Sequence, residues 1–237
     1  MKLAFAATLS ISVLALSACS VPTAPPSASS LDTLFTHPVG RSGATRVPSG
    51  ADVSLGIVYS PGTQTNRQYL RDYQANAGTG FGQSLLVQPI HDAYVATSKP
   101  DMAVDWMTAS LKRRFGSVTV YPDMQSLRAA KPDVTAIIET RSQLITSRSS
   151  DIRTDASADF YDAQFNYIGT AKGTDAKALS PLWADYKRTD DIVADIHEQQ
   201  DVQVRALQKF DRSLSDLLGG AADSVSMLDT RQAQKLY

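Results

Sequence analysis

The side chains able to do chemistry are few and far apart in this chain. Cys19 is its only cysteine, so no disulfide can form within it and a single thiol is open to modification. Gly78-x-Gly80-x-Gly82 is the nearest approach to a phosphate-cradling loop. It lacks the spacing of a dinucleotide fingerprint and the Lys-Ser/Thr of a P-loop, so it reads as a plain flexible loop. The three histidines, His37, His91 and His197, are widely separated. His197 and Asp201 stand four residues apart and could share a cation, but two such groups do not make a metal site. A solvated helix face with a salt-bridged histidine is the simpler reading. There is no Gly-x-Ser-x-Gly elbow, and nothing in the sequence sets two carboxylates across a cleft. No cofactor is expected, and a hydrolase with dispersed carboxylates stays open as an alternative. Arg141, Arg148 and Arg153 gather near one hairpin end, where they could grip an anionic partner such as a lipid headgroup. Each could equally be paired with Asp151 or Asp155 in a soluble rim.

Charge narrows the partners further. The chain has 23 Lys and Arg against 24 Asp and Glu, so there is no basic excess to attract nucleic acid. Residues 51–219 suffice for one domain with a proper core.

The elements that must position these groups follow from periodicity. Residues 53–59 alternate as a first strand, stopped by Pro61-Gly62. A short helix is expected around residues 68–73, and residues 83–97 stay open between strand and helix because Pro89 falls among them. Residues 99–115 predict a helix capped by Ser98, with Ala103, Trp106, Met107, Leu111 and Phe115 on its buried face. A short strand at 118–121 and a brief helix at 124–130 follow. Residues 134–140 form the strongest strand, and apolar residues on both of its faces place it centrally. Strands near 153–161 and 167–172 complete an antiparallel meander with one dry and one wet face. From Thr189 the longest helix carries a stripe of Val193, Ile196, Gln200, Val204, Leu207, Phe210, Leu214 and Leu217, and Gly219-Gly220 ends it. The order predicts an α+β fold: a mostly antiparallel or mixed sheet, helices packed on one face, and a long C-terminal helix. Residues 220–237 read as a loose tail.

The N-terminal stretch has a different character. Lys2 is followed by an apolar run to Leu16 and then Ser17-Ala18-Cys19, the layout of an export signal. The run is shorter than the roughly 20 residues that span a bilayer. Leu16-Ser17-Ala18-Cys19 resembles the lipobox of bacterial lipoproteins. That resemblance implies cleavage after residue 18 and acylation of Cys19 by more than one chain, which stable anchoring requires. Ser20, in place of the Asp that retains such proteins at the inner membrane, implies the outer membrane, facing the periplasm. Residues 20–50 are rich in Pro, Ser and Ala and read as a tether, with an r.m.s. reach of about 30 Å as a flexible coil. Leu31, Leu34 and Phe35 interrupt it.

Taken with the 133–146 strand, the Phe160-Tyr161-Asp162 hairpin and the terminal helix, the layout is similar to small auxiliary lipoproteins of envelope transport systems. This implies a non-enzymatic docking or accessory role beside an envelope protein partner. A lipid- or glycan-binding module with an apolar groove under the long helix is the alternative.

Overall fold

The computed structural model describes residues 46–75, 87–146, 149–182 and 186–219. Five strands, β1 (Gly50–Tyr59), β2 (Phe115–Val120), β3 (Val134–Gln143), β4 (Asp151–Asp162) and β5 (Tyr167–Ala178), form one sheet in the order β2-β1-β3-β4-β5. β1 runs parallel to both β2 and β3, whereas β3, β4 and β5 are antiparallel, so the sheet is mixed. β3 lies at its centre. Ile137 and Ile138 point to opposite faces and are both fully buried, as its two-sided apolar pattern requires. The fold is the α+β class that the sequence predicts.

The helices are α1 (Pro61–Ala75), α2 (Gln88–Thr97), α3 (Met102–Lys112), α4 (Met124–Ala130) and α5 (Thr189–Leu217). Leu55 and Ile57 of β1, Ala136 and Ile138 of β3, and Ala158 and Phe160 of β4 form the dry face. Met107 and Leu111 of α3 pack on it, with Leu207, Phe210 and Leu214 of α5. Val47 also joins this core, at 2% exposure, so the packed fold begins ahead of β1. On the opposite face α4 covers a smaller area, where Leu127 and Pro132 close over Gly56.

α5 reaches beyond the sheet. Its 29 residues span about 43 Å at helical rise. Its C-terminal half lies on the sheet. Its N-terminal half meets α1 and α2 in a second core with Tyr69, Tyr73, Ile90, Tyr94, Ile192 and Ile196. A Cβ at Gly173 of β5 would collide with Ala206 O and with Phe210 N, so this close approach of helix and strand needs glycine. Arg205 holds Asp175 at 2.7 Å and Glu198 at 2.7 Å. Lys209 adds a bond to Asp175, and Lys177 one to Glu198.

Several boundaries differ from the sequence reading, each for a local reason. α1 is 15 residues long and starts at Pro61. Ser60 accepts the Thr63 N–H at 3.0 Å, and Pro61 opens the helix, where a missing N–H is harmless. The segment left open is helical from Gln88, because Pro89 falls in its first turn. α3 starts only at Met102; the Ser98 hydroxyl donates back to Tyr94 O at 2.7 Å instead of capping it. The stripe of α5 shifts in phase near its middle, burying Gln199, Val202, Gln203 and Ala206, with Gln200 and Val204 only partly covered. Lys209 lies outside the stripe and is exposed, and its Nζ donates to Thr174 O of β5 at 3.0 Å. The glycine-rich stretch 78–82, residues 20–45 of the expected tether and the expected tail 220–237 lie outside the described residues, while residues 46–50 belong to the fold.

Burial sets the expected cost of cutting the α5 interface. Leu207 and Phe210 are fully buried, so Leu207→Ala and Phe210→Ala should each destabilise the fold by about 2–5 kcal/mol. Arg212 is exposed, and Arg212→Ala should cost under about 0.5 kcal/mol. Urea melts of the three variants measure the difference; equal small losses would mean α5 is not docked.

Candidate functional site

The face of the meander turned away from α3 and α5 carries a cluster of charged and hydroxyl side chains. Strand alternation places it there: with Ala136, Ile138, Ala156, Ala158 and Phe160 inward, the intervening residues point out. Register then sets neighbours. Arg141 of β3 lies opposite Asp155 of β4, Glu139 opposite Ser157, and Asp159 opposite Thr170 of β5.

Two of the three predicted arginines meet on this face. Arg153 grips Asp155 through Nε at 2.8 Å and Nη2 at 2.9 Å, a bidentate pair with the arginine 55% exposed. The Thr174 hydroxyl donates to the same carboxylate at 2.9 Å. Asp155 is held below the usual carboxylate range. Burial works against its charge, but the bonds from Arg153 and Thr174 and the fields of Arg153 and Arg141 outweigh that effect. Arg148 lies outside the described residues.

Beside them stands a group the arginine pattern did not single out. Burial raises the Asp159 carboxyl above its ordinary value; the Thr170 hydroxyl, which donates to it, opposes the rise, and Glu139 adds to it. Thr170 also shares a 2.7 Å hydrogen bond with Tyr167. The Tyr161 phenol is pushed up by burial, then by Asp159 and Tyr167. The alternation of Asp155, Ser157 and Asp159 was visible in the sequence, but it signals only a wet face. What makes Asp159 distinctive is its neighbours on β3 and β5, which no local pattern reveals.

The other sequence candidates disperse. His91 pairs with its own neighbour Asp92 at 3.2 Å on α2, and His197 is exposed on α5. Its neighbour Glu198 is engaged by Arg205 and Lys177. His37 and Cys19 lie outside the described residues. Among the described residues no group of three or more His, Cys, Asp or Glu side chains is placed to hold a metal ion. The outer face of the meander therefore offers opposed charges and oriented hydroxyls, suited to recognising a polar surface.

What the fold and this face define is an α+β domain with an ion-paired, two-signed polar surface. No family model matches the chain, and no curated protein matches it. Among solved structures it is similar to a PelC dodecamer from Paraburkholderia phytofirmans. The two share 11% identity and a TM-score of 0.33, over 70% of this chain and 95% of that one.

The two aspartates should answer acid in opposite ways. Asp155, with its folded pKa below the ordinary 3.8, contributes stability that is present above that value and lost as pH falls through the folded one. Asp159, raised above 3.8, costs stability at neutral pH, and the cost is relieved as pH falls from its folded pKa toward 3.8. Asp155→Asn should thus destabilise at pH 7 by under about 1 kcal/mol, its pair being partly exposed. Asp159→Asn, which keeps an oxygen for Thr170, should be neutral or stabilising at pH 7 and should flatten the profile on mild acidification. Urea melts across that range separate the two; the same sign for both would refute the assignment.

Proposed function

We propose that this chain is an outer-membrane lipoprotein, anchored through Cys19 and facing the periplasm, whose domain is a non-enzymatic docking component of an envelope complex. The observation that carries the reading is Leu16-Ser17-Ala18-Cys19 at the end of an apolar run too short to span a bilayer. Among the described residues no helix is long and apolar enough to cross a membrane, which leaves the lipid as the attachment the sequence supports. Two features of the domain fit docking better than a ligand held under the long helix. Leu207, Phe210 and Leu214 fill the space beneath α5 with at most 2% exposure. The ionic groups on the outer face carry both signs, with Arg153 paired to Asp155 and Arg141 opposite it, the kind of rim that specifies a protein partner and steers its approach.

Replacement of the anchor tests the first half of the reading. Cys19→Ala should release the protein from membranes into the soluble fraction or leave an unprocessed precursor. If that variant were exported, trimmed and still resistant to carbonate extraction, acylation would not be the anchor.

A further inference from the structure

The end of the domain where the chain enters its fold gathers positive charge. Gly50 N–H donates to Arg114 O at 3.0 Å and Gly50 pairs with Phe115, so the entering segment runs beside the turn from α3 into β2. That turn is Lys112-Arg113-Arg114; all three are exposed, as is Arg46. A Cβ on Gly219 would lie 2.8 Å from Arg46 Nη1, which puts the Arg46 guanidinium against the end of α5. Arg114 meets the same end, donating through Nη2 to Ser215 Oγ at 2.8 Å.

The way these cations are held sets them apart. Arg67, Arg153, Arg205 and Lys209 are each gripped by an aspartate. Among the described residues, no carboxylate pairs with Arg46, Lys112, Arg113 or Arg114. Arg113 Nη2 donates to Ser110 Oγ at 2.9 Å, as Arg114 does to Ser215. A hydroxyl fixes the direction of a guanidinium without neutralising it. Part of the charge answers the negative ends of α3 and α5, an effect confined to the last turn. Asp52 and Asp216 are exposed near this end and leave the cations in excess.

The path of the chain says what faces this end. On the reading that Cys19 is acylated, on which this inference rests, residues 20–45 are a leash of about 30 Å r.m.s. length. It joins the domain beside the four cations, so this end is held nearest the headgroups, at an effective concentration on the order of millimolar. An anionic leaflet favours contact by roughly fivefold for each Lys or Arg close to it. That attraction decays over about 8 Å at physiological salt, so cations elsewhere on the domain do not share it.

We propose that Arg46, Lys112, Arg113 and Arg114 form a contact surface for anionic phospholipid headgroups. It stands the domain on its leaflet with the starts of β1 and β2 toward the lipid and the outer face of the meander open at the side.

The test supplies the anchor, so its outcome does not depend on acylation. The full chain with Cys19→Ser and an N-terminal hexahistidine tag is held on vesicles by a nickel-chelating lipid. A dye at Ser49→Cys, an exposed position beside the cations, should transfer energy to headgroup-labelled lipid. Transfer should be strong on phosphatidylcholine vesicles containing phosphatidylglycerol and weak on phosphatidylcholine alone. The gain should vanish in about 0.5 M salt. His91→Cys on α2, which packs against the other half of α5, should show no gain. Lys112→Glu combined with Arg113→Glu should lower the contact more than about tenfold, and Lys112→Gln alone about fivefold. Both should leave the melting temperature unchanged, since these side chains are exposed. Equal transfer on the two lipids, a gain that survives the paired reversal, or a gain at residue 91 as large as at 49 would each overturn the proposal.

Discussion

The backbone of the central strand has to be satisfied on both sides, and β1 supplies one side only as far as Ile138. Buried amides and carbonyls left open beyond that point would each cost about 1–3 kcal/mol. Helix α1 solves this with side chains. Thr63 donates to Ile138 O at 2.9 Å and accepts from Thr140 N at 2.9 Å. Asn66 accepts from Ser142 N at 2.8 Å, and the Tyr69 hydroxyl accepts from Leu144 N at 3.3 Å. One turn on, the Tyr73 hydroxyl donates to Ile145 O at 2.7 Å. The spacing of three, three and four residues is one face of a helix, so α1 acts as a surrogate strand. Its position is fixed by hydrogen bonds as well as by apolar contact.

The second core depends on that placement. Tyr73 also reaches Gln199 of α5 at 3.2 Å, and Gln199 accepts from Ile145 N at 2.7 Å while donating to Thr97 Oγ1 at 2.9 Å. Gln203 donates to Thr97 O. A buried amide with all its partners in place admits one arrangement, whereas an apolar contact admits several. These glutamines set where α5 stops along its own axis, and α5 in turn covers β5. Burial in this cluster pushes the Tyr69 phenol up to about 12, and the Leu144 amide only partly opposes it. The hydroxyls here therefore stay neutral donors and acceptors across the physiological range.

Periodicity made the meander, the central strand and the long helix legible, since each carries a long and regular apolar pattern. Helices α1 and α2 were obscured for a reason visible in their residues. The face α1 turns inward contains Thr63, Asn66, Tyr69 and Tyr73, polar or amphipathic groups that a hydrophobic pattern does not register. The same applies to Gln199 and Gln203, whose burial shifts the α5 stripe away from Gln200 and Val204. On the polar face, alternation showed which residues point outward. It did not show that Arg153 is committed to Asp155, or that Asp159 sits beside Thr170 and Glu139. Those relations belong to strand register, which is fixed by the whole sheet.

The way the chain enters its fold has a mechanical side. The segment ahead of the domain arrives at buried Val47 and passes into β1, which is held by β2 on one flank and β3 on the other, both parallel to it. Tension on that segment would pull β1 along its own axis. Both ladders would then be loaded in shear, with their hydrogen bonds strained together instead of being peeled open one at a time. A pull from the N-terminal end thus loads both ladders of β1 at once, and the sheet resists it without unravelling strand by strand.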